Sequence, residues 1–210
     1  MARAYQPGDH ICALFETEDE HYAIAADYVA DGLCRGERCL YASASAAGPG
    51  RMHEALAARG VDAAEALERG ALVLLTAAEA HLASGRFDPE LMMGFLNDGV
   101  EAALKDGFTA LRTCGDMSWL LDTPEGSDRV VEYEIFLNQF FQGVRAAGMC
   151  LFDRARLPPA LIDQAIAAHT SAHLSGQHVF NPFYEPSASA SRVPEPERVE
   201  AKLRVLAKSS

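Results

Sequence analysis

The sequence predicts an α/β fold: a three-layer α/β/α domain around a mostly parallel sheet. Three observations predict it. Apolar runs of five to seven residues recur along the 210-residue chain, each the length of a buried strand. Longer stretches with apolar residues at helical spacing separate them, and strands joined by helices need crossovers, which make neighbours parallel and cover both faces of a sheet. Finally, 49% hydrophobic residues suffice for one full core, while 23% charged residues supply the surface.

The elements follow in order. His10–Phe15 (HICALF) reads as a first strand, and 20–35 as a helix with Tyr22, Ile24, Ala25, Tyr28, Val29 and Leu33 at helical spacing, closed near Gly36. Arg38–Ser43 is a second strand, 50–59 a helix ended by Gly60, and 63–69 a short helix before the strand 71–76. Asp88 caps a long helix over 89–105, with Pro89 in its first turn and Gly107 beyond its end. A fourth strand spans 108–114, a long helix 128–146 and a fifth strand 149–153. The stretch 157–174, entered through Pro158-Pro159, reads as one helix, and 177–181 as a last strand. Residues 187–193 (from the SASAS run) are a flexible linker by composition, and 194–210 a short amphipathic helix carrying Val199, Leu203 and Leu206.

The net charge of −12 is spread along the chain, which disfavours phosphate backbones and anionic lipid and speaks against direct nucleic-acid binding. No apolar run approaches the ~20 residues that cross a bilayer. Met1–Asp9 is polar, unlike a signal peptide, so the expected location is cytoplasmic. Five cysteines, an odd number without a Cys-x-x-Cys pair, read as reduced and mostly buried thiols.

In a parallel sheet, ligands sit beyond the carboxyl ends of the strands. ATPases of the RecA type place a glycine-rich Gly-Lys-Ser/Thr loop after the first strand. Here that strand runs into Glu16-Thr17-Glu18-Asp19-Glu20, a glycine-free segment with four carboxylates that would repel a triphosphate. Nucleotide hydrolysis by that route is not expected. No Gly-x-Ser-x-Gly elbow or close Cys–His signature supports another enzyme chemistry.

Several residues invite closer attention. Gly115-Asp116-Met117-Ser118-Trp119 follows the fourth strand, with an acid at the strand tip and the sole tryptophan beyond it; it fits a pocket wall, or a turn covering the core edge. His10 and Cys12 share one face of the first strand, as metal or thiol–imidazole partners or as core residues. His169 and His173, four apart on the predicted helix, share a face that His178 could complete as a metal site. Of Glu132 and Glu134, one is expected to point inward, with Arg112, Arg154 or Arg156 as partner. Asp153 ends the fifth strand, either to hold a ligand hydroxyl or to neutralise an arginine.

Taken together, these motifs resemble the MEDS family, the sensory domain named for methanogens, methylotrophs and the regulator DcmR. The resemblance runs over about 8–186 and rests on His10-Ile11-Cys12 with Phe15, Gly115-Asp116-Met117-Ser118-Trp119, Tyr133-Glu134, Leu151–Arg156 and Asn181–Pro186. It implies residues 1–186 as a sensory domain of degenerate RecA/KaiC-like type lacking the phosphate loop, and a role in sensing simple hydrocarbon derivatives within transcription regulation or histidine-kinase signalling. The site residues carried over are His10, Cys12, Asp116, Trp119, Glu134 and Asp153, with Phe15 as a pocket wall. No cofactor, catalytic residue or resident metal is assigned. The expected partners are a small organic ligand and a separate kinase or transcription regulator, because only the linker and a short helix follow the domain in this sequence; homo-oligomerisation stays open. Two other readings remain: a protein-interaction scaffold on a dead ATPase fold, and a metal or thiol redox sensor using His10, Cys12, His169 and His173.

Overall fold

The computed structural model describes residues 4–185 and Ala207; the expected linker and terminal helix lie outside the described residues, save Ala207. Seven strands form one sheet in the order β3-β2-β4-β5-β1-β6-β7. They are β1 (His10–Phe15), β2 (Arg38–Ser43), β3 (Leu72–Thr76), β4 (Leu111–Asp116), β5 (Ala146–Asp153), β6 (Ser171–Leu174) and β7 (Gln177–Phe180). All neighbours are parallel except the β6–β7 pair. Helices α1 (Glu18–Cys34), α2 (Gly48–Ala57) and α3 (Ala63–Glu68) cover one face, and α4 (Pro89–Lys105), α5 (Val130–Gly143) and α6 (Pro159–Ala168) the other. The expected three-layer α/β/α architecture is the observed one. No helix among the described residues is long and apolar enough to cross a membrane.

The helix starts explain themselves locally. Thr17 caps α1 by accepting from the Glu20 amide at 3.2 Å, and Glu20 reaches back to the Glu16 amide at 2.8 Å. Glu18, Asp19 and Glu20 fill the first turn, where carboxylates favour the positive end of the helix dipole. Two amides at and just before this helix start are thus taken by the chain's own side chains. Asp88 caps α4 as expected, accepting from the Glu90 and Leu91 amides at 3.1 and 3.2 Å.

The bounds shift at β4, expected over 108–114, and at β5, which starts at Ala146, still within the expected helix, and two departures go further. The stretch read as one helix over 157–174 is α6 followed by β6, because the chain turns to extended backbone at His169 (φ −107°, ψ 139°). A two-residue turn with Ser175 and Gly176 both at positive φ (51° and 77°) then folds β7 back on β6. His169 and His173 therefore share no helical face. The other difference is a 3₁₀ turn, Met117–Asp122, between β4 and α5.

The two cores meet the sheet differently. On the α1–α3 side, buried Arg112 spans the layer, donating to Glu37, to Asp31 Oδ2 at 2.9 Å and to the Tyr28 carbonyl at 3.1 Å, with its guanidinium 4.7 Å from the Tyr28 ring centroid. On the α4–α6 side, Phe141 lies flat on β5 where Gly148 leaves room: a Cβ there would stand 2.3 Å from the ring. Gly148→Ala should therefore lower stability by about 1–3 kcal/mol through overpacking, seen as a lower urea midpoint at unchanged m-value; a midpoint equal to the parent's would contradict this packing.

Candidate functional site

The strands that end at the top of the sheet define a switch point. From β1 the chain leaves through α1 on one face, whereas neighbouring β5 leaves through α6 on the other. A crevice opens where adjacent connections part in this way. Phe15 and Asp153, the terminal residues of β1 and β5, are paired there, and Asp116 ends β4 on the other side of β5. Together with Trp119, His21, Tyr22, Ala44 and Arg156 they line a cleft of about 450 Å³.

Asp116 is a fixed carboxylate in this cleft. Its Oδ1 accepts from the Ser118 amide at 2.9 Å and its Oδ2 from the Ala44 amide at 3.0 Å. His21 Nδ1 stands 3.9 Å from Oδ2, while His21 Nε2 lies 2.8 Å from the Tyr41 hydroxyl. Burial lowers the His21 pKa, although Asp116, Glu18 and Asp153 work the other way. The imidazole stacks on Tyr22 and leans on Phe15, each with ring centroids 4.7 Å apart. Asp153 holds the strand exit by accepting from the Ala155 and Arg156 amides at 3.0 and 3.1 Å. Trp119 is buried among Phe87 and His81, with its indole Nε1 unpartnered among the described residues. It both covers the core edge and borders the cleft.

A second group lies deeper, on the α5–α6 side of the sheet, and holds the remaining expected residues. His10, at the start of β1, has its Nε2 3.1 Å from Glu134 Oε2 on α5. The inward-facing glutamate is Glu134, as the helical spacing requires of one of the pair; Glu132 faces out and pairs with Arg129. Its partners are not the arginines anticipated. Arg112 is on the opposite face, Arg154 pairs with Glu16, and Arg156 lies 3.7 Å from Asp153. Instead His169 Nε2 comes to 3.3 Å of Glu134 Oε2, and the Cys150 thiol to 3.4 Å. Asn138 completes the surround, accepting at Oδ1 from His10 Nδ1 at 3.0 Å.

Charges are strongly biased in this interior. Burial pushes the Glu134 carboxyl up, and the facing His169 and His10 hold it below the usual carboxylate range only when their Nε2 atoms carry a proton. Burial, with His169 alongside, lowers His10. Burial and the Glu134 charge push the Cys150 and Cys12 thiols up. Cys12 shares the face of His10 but offers no ligand atom to the cluster of His10, Glu134, Cys150 and His169. His173 is elsewhere, paired with His178 across the β6–β7 hairpin.

The structure therefore divides the expected site in two. Phe15, Asp116, Trp119 and Asp153 meet at the cleft. His10 and Glu134 do not anchor it, because His10 begins β1 and the cleft lies at its far end, about 16 Å away at a strand's rise per residue. Cys150 was missed, while His169, expected as a possible ligand beside His173, instead faces Glu134 with His10. Tyr133, beside Glu134, packs in the core against Phe87.

The fold and this arrangement define a RecA-like α/β domain of KaiC type. A KaiC-like protein from the hyperthermophilic archaeon Pyrococcus horikoshii is similar with a TM-score of 0.54 at 12% identity, over 79% of this chain and 70% of that one. The chain belongs to the MEDS family, the methanogen/methylotroph, DcmR sensory domain, whose model matches residues 9–170. Its role is accordingly that of a sensory domain in signalling. No curated protein matches the chain.

Burial also lowers His81, next to Trp119, to a pKa of about 4. Against about 6.5 in the unfolded chain, the unfolded state binds the extra proton between these values. The contribution of His81 is full above about pH 6.5 and is lost as pH falls towards 4, a change of about 3 kcal/mol. His81→Phe should flatten the fall in denaturant midpoint between pH 7 and 4.5; an undiminished fall would place the buried proton elsewhere.

Proposed function

We propose that this domain senses a small organic molecule in the cleft at the carboxyl edge of the sheet, binds it without hydrolysing nucleotide, and passes the signal to a separate kinase or transcription regulator. The convergence of Phe15, Asp116, Trp119 and Asp153 on one cleft at the β5–β1 switch point carries this reading. The lining chemistry narrows the ligand. Glu16, Glu18, Asp116, Asp122 and Asp153 face it, against Arg156 as the one cation among the described lining residues. Anions are disfavoured, and a neutral or cationic molecule fits beside the aromatic rings of Phe15 and Tyr22. Simple hydrocarbon derivatives, which the family resemblance implies, meet both conditions. The internal cavity near His81, at about 30 Å³, admits no more than a water molecule or two and is no competitor.

Ligand binding at this point bears directly on α1 and on the Met117–Asp122 turn, since Asp116 ties the end of β4 to the β2 loop through Ala44. A molecule that prefers one arrangement of these segments shifts the population towards it, and that shift is the signal.

Thermal unfolding with methanol, dichloromethane, tetramethylammonium and Mg-ATP tests the reading. A ligand at about 100 times its dissociation constant adds roughly 2.7 kcal/mol, which raises the midpoint by about 5–10 °C in a chain of this size. We expect a shift with one of the organic probes and its loss in Ala44→Leu, which fills the cleft. A shift with Mg-ATP, or one that Ala44→Leu leaves intact, would overturn the proposal; no shift at all would favour the interaction scaffold.

A further inference from the structure

The cluster around Glu134 holds more acceptors than hydrogen bonds can satisfy, an observation independent of the cleft. Asn138 Nδ2 donates to the carbonyls of Glu134, at 3.3 Å, and Ala168, so its Oδ1 is the atom that faces His10. His10 Nδ1 must then carry the proton given to Asn138. His169 Nδ1 likewise donates to the Ala165 carbonyl at 2.7 Å. As neutral rings, both imidazoles present a bare Nε2 lone pair, and both are aimed at the same carboxylate oxygen, at 3.1 and 3.3 Å.

Lone pairs facing a carboxylate at such distances repel unless something positive lies between. The Cys150 thiol has one proton and can serve one of its two neighbours, Glu134 Oε2 at 3.4 Å or His10 Nε2 at 3.7 Å. His169 Nε2 and Glu134 Oε1 have no hydrogen-bond partner among the described residues. A buried polar atom left so costs about 1–3 kcal/mol.

We propose that His10 Nε2, His169 Nε2, the Glu134 carboxylate and the Cys150 thiolate together bind one divalent transition-metal ion, zinc above all. The four ligand atoms lie within 4.8 Å of one another. Tetrahedral zinc with bonds of ~2.0–2.2 Å to nitrogen and oxygen and ~2.3 Å to sulfur requires ligand–ligand edges of roughly 3.3–3.7 Å. Four of the six separations, 3.1, 3.3, 3.4 and 3.7 Å, are close to those edges, and the other two are within 4.8 Å. The donor set of two imidazoles, one thiolate and one carboxylate suits zinc, and its two negative charges neutralise the ion in a site closed to water. Asn138 and the Ala165 carbonyl supply the outer hydrogen bonds that orient metal-bound imidazoles. On binding, the Cys150 S–H bond breaks, the sulfur keeps the electron pair as a metal bond, and the proton leaves to solvent. The ion would join β1, β5, α5 and the α6–β6 junction. With all four positions taken by protein, it is a site for holding structure, not for hydrolysis.

The full chain, produced with zinc in the medium and purified without chelator, should carry about one metal ion by elemental analysis. Its cobalt-substituted form should show the thiolate charge-transfer band and intense visible absorption of a tetrahedral site. Cys150→Ser should remove the charge-transfer band, while Cys12→Ser, an equally buried neighbour outside the ligand set, should keep it. Folded wild-type protein that holds no metal and gives no such cobalt spectrum would overturn the proposal, as would a charge-transfer band surviving Cys150→Ser. Should Cys150→Ser not fold, the wild-type cobalt spectrum and the metal content of His169→Ala decide the matter. None of these readouts depends on the cleft holding a ligand.

Discussion

A carboxylate buried to about 1% exposure beneath a parallel sheet must be compensated on the spot, and Glu134 sets that demand for this domain. An ionised carboxylate in such a place is sustained only by partners that face it directly. β1 supplies His10, β5 supplies Cys150, and the break after α6 supplies His169. The break itself is held by Asn138, from α5, and by Asn181, whose amide donates to the His169 carbonyl at 2.7 Å. The distant β1 and the consecutive α5, β5 and α6 are thus fastened at one point, with Phe141 on Gly148 packing beside them. On the opposite face Arg112 makes the same demand with the opposite sign, and Glu37 and Asp31 answer it.

Fastening the interior leaves the carboxyl edge as the part free to respond. There α1 begins as a capped helix: Thr17 accepts from the Glu20 amide, Glu20 accepts from the Glu16 amide, and acids crowd its first turn. Glu18 of that turn, with Glu16 just before it, also lines the adjacent cleft and makes it acidic. The helix cap and the charge of the cleft therefore come from one segment. The family is one of sensory domains, here on a KaiC-like fold.

Most of the architecture was legible because its strands are short, apolar and set apart by capped helices. β1, β2 and α4 fall on their expected residues, since each is bounded by strong local signals such as Asp88-Pro89. The error over 157–174 has a physical reason: an apolar run shows the same composition as helix or as buried strand. Ser175-Gly176 between two short alternating segments was the hairpin signal that could have corrected it. With that hairpin in place, His169 moves from a helix face to a strand entrance, next to His10. Cys150 could not be singled out in the same way, because β5 is buried along its whole length and carries no alternation to show which side a residue faces. Glu134 was legible as an inward acid, but its partners come from elements whose positions only the folded sheet reveals.

Trp119, the sole tryptophan, offers the most direct view of whether the carboxyl edge is where this domain senses, since it borders the cleft and stacks on buried His81. Its fluorescence should change in intensity or wavelength, saturably, as the small molecule that stabilises the domain is titrated in, with the same dissociation constant as the stabilisation. A ligand that stabilises the protein while leaving Trp119 emission unaltered would place sensing away from this cleft.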